Sequence, residues 1–83
     1  LVEADQLTVT VFPNPTQDDL FIRTEASATI QQIQLYNSSG QLIQYQTPLH
    51  MEALVSMRDY APGIYFLRWS TATLSGILEV VKE

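Results

Sequence analysis

Apolar and polar residues alternate with a period of two along most of this chain, in short runs bounded by proline, glycine and small polar residues. This is the pattern of half-buried β-strands. The densest run follows Ala61-Pro62-Gly63. From Gly63 onward Tyr65, Leu67 and Trp69 fall on one face, Ile64 and Phe66 on the other, and Arg68 closes the second face. A strand apolar on both faces is expected inside a sheet. The Pro62-Gly63 pair before it predicts a type II turn in which Gly63 takes a positive φ.

Leu1–Gln6 has no clear period and reads as a linker, so residues 7–83 form the predicted domain. A first strand is predicted over Leu7–Phe12, where Leu7, Val9 and Val11 alternate with Thr8 and Thr10. Pro13-Asn14-Pro15 ends it in a stiff corner, because proline lacks a backbone donor and drives the preceding residue toward extended geometry. Further strands follow at Leu20–Thr24, starting from Asp19, and at Ile30–Tyr36, where Ile33 and Leu35 oppose Gln32, Gln34 and Tyr36. The Asn37-Ser38-Ser39-Gly40 loop, with Gly40 suited to a left-handed position, predicts a hairpin into Gln41–Gln46. There Leu42 opposes Ile43 and Tyr45. Met51–Met57 places Val55 and Met57 on one face, and Gly76–Lys82 sets Ile77, Glu79 and Val81 against Leu78, Val80 and Lys82. Turns recur about every ten residues and no helical period is present. The expected fold is therefore an all-β, seven-stranded antiparallel two-sheet sandwich, with a barrel as the alternative.

Composition narrows the function classes. With 83 residues, 46% of them hydrophobic and 16% charged, the chain has the make-up of one packed domain. Its net charge of -5, with Arg23, Arg58, Arg68 and Lys82 scattered in sequence, argues against nucleic acid and against an anionic lipid surface. No cysteine is present, so disulfides and thiolate chemistry are excluded. No apolar run is long enough to span a membrane as a helix, no secretory leader pattern is visible, and the start at Leu1 suggests a piece of a longer protein.

The candidates for chemistry are few. His50 is the lone histidine, placed in a proline-containing connection without any nucleophile motif, and reads as a solvated loop residue. Asp18 and Asp19 fall short of the alternating oxygen ligands of a calcium loop and read as turn residues; Glu3 and Asp5 read as solvated. Neither a cofactor nor a metal is implied. Tyr65 and Trp69 could stack on a sugar, but at strand spacing they read as core. An exposed edge strand is the remaining option, as a template for pairing with another chain, including a second copy.

Four stretches in order, Val11-Phe12-Pro13-Asn14-Pro15-Thr16, Ile33–Gly40 running into Gln41-Leu42-Ile43, Ala61-Pro62-Gly63-Ile64-Tyr65, and Val80-Val81-Lys82, together resemble one family. It is the type A C-terminal sorting domain of the type IX (Por) secretion system of Bacteroidetes, and the likeness covers about residues 7–83. The resemblance implies an immunoglobulin-like sandwich that acts as a non-catalytic signal. In that family the domain directs its parent protein through the periplasm and across the outer membrane to the cell surface or beyond. The implied partners are the translocation machinery, its shuttle protein and a sortase that removes the domain. The residues matching the family's signal are Pro13, Asn14 and Pro15 at the corner, Gly40 in the hairpin, Gly63 and Tyr65 at the turn and strand, and Val80, Val81 and Lys82 at the end. Two positions depart from the pattern: Thr16–Asp19 lacks a glycine, and Glu83 follows the terminal lysine.

The rival readings are a carbohydrate-binding sandwich using Tyr65 and Trp69 and a passive adhesin-type module. The signal reading adds an expectation for the terminal strand Gly76–Lys82, which a partner would capture by its backbone or grip at Val80–Lys82. Loss of Val81–Glu83 removes little core on this reading, so folding is expected largely to survive and export to be lost.

Overall fold

A computed structural model of the chain describes residues 9–24 and 28–83. The expected linker, the start of the first strand at Leu7 and the Glu25–Ser27 link lie outside the described residues. The strands are β1 (Val9–Phe12), β2 (Asp19–Thr24), β3 (Gln32–Tyr36), β4 (Leu42–Gln46), β5 (Glu52–Ser56), β6 (Gly63–Ser70) and β7 (Ser75–Lys82). They form two antiparallel sheets, ordered β1-β2-β5 and β4-β3-β6-β7, in the manner of an immunoglobulin-like sandwich.

The period-two pattern places the core. Leu20 and Ile22 of β2, Ile33 and Leu35 of β3, Val55 of β5 and Leu67 of β6 are fully buried, with Tyr65, Trp69 and Val80 beside them. β6 lies between β3 and β7, as its two apolar faces predict. Its outer face nevertheless meets solvent, because a two-layer sandwich covers only one face of each sheet, so Ile64 and Phe66 stay exposed. Trp69 lies opposite Gly76 in the β6–β7 register, and its indole occupies the space a side chain there would need.

Two details differ from the pattern-based reading. β3 pairs Leu35 with Gln44 and then Tyr36 with Leu42, so Ile43 is the extra residue of a β-bulge. Ile43 therefore packs on the core while Tyr45 points to solvent, and the two do not share a face. Gln44 and Gln46, opposite the buried Leu35 and Ile33, turn inward. Their side-chain amides donate to Ser56 O at 3.2 Å and Leu54 O at 3.0 Å, capping the outer edge of β5. In addition, β3 starts at Gln32, because Ile30 leaves the sheet to bridge His50, donating to its carbonyl at 2.8 Å.

Gly63 does have a positive φ, but at 152° it is well past the value of about 80° that closes a type II turn. No neighbour lies within 4 Å of a Cβ built there, so backbone strain alone opposes a side chain. Gly63→Val is expected to cost about 1–3 kcal/mol, read as a lowered urea midpoint. A midpoint equal to the parent's would show that the chain can start β6 with an ordinary φ.

Candidate functional site

The registers bring four segments to one pole of the sandwich. Phe12 at the end of β1 faces Phe21 near the start of β2, and Asp19 faces Ser56 at the end of β5. In the other sheet Tyr36 at the end of β3 faces Phe66 near the start of β6, and Gly63 faces Lys82 at the end of β7. The 13–18 corner, the 37–41 hairpin, the 57–62 turn and the last residues of β7 thus share one end.

Asn14 ties the corner to the terminal strand. Its Oδ1 accepts from Val81 N at 3.0 Å, and its Nδ2 donates to Glu79 O at 3.1 Å. The buried Thr16 continues the clamp: its N–H donates to Val81 O at 2.9 Å, and its carbonyl accepts from Glu83 N at 2.8 Å. Phe12-Pro13 and Asn14-Pro15 are cis peptides. The outward backbone groups of β7 at 79–81, which an edge strand would leave open, are largely occupied from within the chain. Asn14→Ala is expected to cost about 1–2 kcal/mol for two lost hydrogen bonds and to speed amide exchange at Val81. Unchanged exchange at that amide would remove Asn14 from the clamp.

Lys82 is only 7% exposed and sits on the inner face of β7. Its Nζ donates to Tyr60 O at 2.9 Å, and its stem is covered by the sandwich. The Tyr60 ring packs on Tyr65 with centroids 5.7 Å apart, and Tyr65 OH donates to Ala61 O at 2.6 Å. A tyrosine at the start of this strand bonding back to the preceding corner is a recurrent device of immunoglobulin-like sandwiches. The Gly40 hairpin is held separately: Asn37 Oδ1 accepts from Ser39 N and Gln41 N, and Gly40 takes φ 88°.

The nine positions singled out from sequence therefore lie at this pole, but in two roles. Pro13, Asn14, Pro15, Gly40 and Gly63 are at the surface, whereas Tyr65, Val80 and Lys82 are buried and Val81 is half-buried. Val80 and Lys82 are thus covered by the sandwich itself, whereas the corner, hairpin and turn residues are open to solvent. Thr16 and Tyr60 carry as much of the pole's bonding and were missed as site residues. Their signals are a threonine directly after the corner and a tyrosine directly before the turn.

Tyr65 and Trp69 are buried and offer no ring face for a sugar. His50 is exposed, with Nδ1 accepting from Glu52 N at 3.2 Å. Among the described residues no three His, Asp or Glu side chains gather as a cation site.

Fold and pole together define a small immunoglobulin-like domain whose sequence motifs tie down its own terminal strand instead of assembling reactive groups. A family model described as a secretion system C-terminal sorting domain matches residues 10–83, and the chain belongs to this family, the sorting domains of the type IX system. It is a secretion signal domain, not a catalytic one; it engages the type IX machinery, and such a domain marks export across the outer membrane to the cell surface or extracellular space. Beta-agarase A of Zobellia galactanivorans is 30% identical over 57 residues, which are 69% of this chain and 11% of that relative. The chain thus spans about a tenth of the length of the curated relative it matches.

Proposed function

We propose that residues 7–83 are the part of a secreted protein that the outer-membrane type IX machinery binds, and that the pole is the surface it reads. The domain acts by being bound: it passes through the periplasm folded, a shuttle protein collects it at the outer membrane, and a sortase removes it at the cell surface. The observation that carries this reading is the convergence of sequence motifs 67 residues apart, as in the Asn14–Val81 pair, on one end of the fold. Pro13, Asn14, Pro15, Gly40 and Gly63 form the outer part of that surface, while Tyr65, Val80, Val81 and Lys82 give it shape. Self-association, where it occurs, runs through the edge strands; side chains cap the outer edge of β5 and the distal half of β7, and β1 and β4 are the other two edges.

The test is to fuse residues 1–83 to a reporter in a bacterium that has this secretion system. Surface delivery that is lost without the domain supports the signal. A reporter that stays inside the cell while the fused domain is folded overturns it.

A further inference from the structure

The outer face of the β1-β2-β5 sheet carries an exposed apolar row. Phe12 pairs with Phe21 and Phe21 with Leu54, so the three side chains lie side by side across the sheet, 38%, 41% and 49% exposed. The two rings stack with centroids 5.6 Å apart. Phe21 also forms a shared wall of two grooves. One, of about 490 Å³, runs toward the pole between Pro13, Pro15, Asp18, Asp19 and Glu83; the other, of about 240 Å³, runs toward His50, Glu52 and Leu54. Together they make one trough that starts at the pole and crosses the sheet.

Carboxylates stand at both ends of this apolar floor. At the far end Glu52 is already held by Arg23 at 2.7 Å. At the pole end Asp18 and Asp19 meet only Arg58, at 3.9 and 3.8 Å with the guanidinium well exposed, and Glu83 has no cation beside it among the described ion pairs. The pole end is thus an apolar groove with excess negative charge, open to a cation that can approach more closely than Arg58 does. On the outer face of the other sheet one cation, Arg68, and one carboxylate, Glu79, leave no net charge to select a partner.

We propose that this trough docks an extended peptide segment of a partner, with an aliphatic or aromatic side chain over Phe21 and a lysine or arginine between Asp18 and Asp19. The inference rests on the reading of the pole as the surface bound during export, and it names the chemistry of the segment that does the binding. Charge complementarity at the pole end supplies orientation and the apolar row supplies contact area.

The probe is a hexapeptide alternating lysine with leucine, titrated into the ¹⁵N-labelled chain of residues 1–83 beside its glutamate–leucine counterpart. Amide shifts concentrated at Asp18–Phe21 and Leu54, for the lysine peptide alone and weakening as salt rises, support the proposal. The Asp18→Asn/Asp19→Asn variant, checked for an unchanged melting temperature, should bind it roughly tenfold more weakly. Equal response to both peptides, shifts centred on Ile64 and Phe66, or undiminished binding by the variant overturns it. Phe21→Ser gives a second readout if the aspartate variant unfolds, and should also weaken binding.

The reporter fusion separates this proposal from the one it rests on. If the aspartate variant stays folded and is exported like the parent, the trough is not the export surface while the secretion reading stands. If the parent fusion is not exported at all, the secretion reading falls and the peptide titration alone decides the trough.

Discussion

Removing Val81–Glu83 is expected to unfold a large part of the population, not merely to blunt a signal. The deletion takes away the charged Lys82 Nζ bond to Tyr60 O and leaves that partly buried carbonyl without its cation. It also removes both backbone bonds of Thr16 and one of the two bonds of Asn14. At about 1 kcal/mol for each neutral bond and about 2 kcal/mol for the charged one, the loss is roughly 5 kcal/mol. An 83-residue domain has a total stability of only about 4–12 kcal/mol. Circular dichroism in a urea series is the check. A truncated chain within about 1 kcal/mol of the parent would mean the terminal clamp adds little. The sequence-based expectation that these residues remove little core overlooked that Lys82 faces inward. A truncated fusion that fails to reach the surface therefore cannot distinguish recognition from folding, and surface substitutions such as those at Asp18 and Asp19 are the better instrument.

Gly76→Val is expected to cost about 3 kcal/mol, for a different reason. A Cβ at this position falls 2.7 Å from Cζ2 and 2.9 Å from Cε2 of the Trp69 ring, closer than any real Cβ contact tolerates. The ring cannot retreat easily, because it is 7% exposed and belongs to the close-packed core with Leu67 and Ile33. Either the indole leaves its rotamer or β7 shifts away from β6, and both lose burial. The diagnostic is a double-mutant cycle: Trp69→Leu alone is destabilising, yet in the Gly76→Val background it should cost much less, since the smaller side chain relieves the clash. Additive effects of the two changes would show that the strain at residue 76 lies in the backbone.

These outcomes bear on how the domain works as a signal. A motif such as Pro13-Asn14-Pro15 has direct structural work at the pole: Asn14 occupies the edge of β7 that would otherwise be open for pairing. Keeping that edge closed opposes strand pairing with another chain there. The exposed part of the pole and the trough beside it remain available to a partner.

Much of the fold was legible along the chain, because strand faces are a local property. The alternation set Ile33 with Leu35 in β3 and Tyr65 with Leu67 and Trp69 in β6 on common faces, which the sandwich buries, and the order of short motifs named the family. What tertiary structure alone decided concerns distance in sequence and the count of layers. The Ile43 bulge, which turns Gln44 inward to cap a strand of the other sheet, depends on register against β3 and leaves no mark in β4 itself. Phe21 and Phe66 look like core by composition, yet two layers cannot cover four faces, so both reach solvent and one of them floors the trough. Lys82 reads as a polar end and is buried because it falls on the inner face of β7, where Tyr60, 22 residues earlier, offers its Nζ a partly buried carbonyl. Gly76 needed no special φ; its lack of a side chain matters only because the register sets Trp69 opposite it.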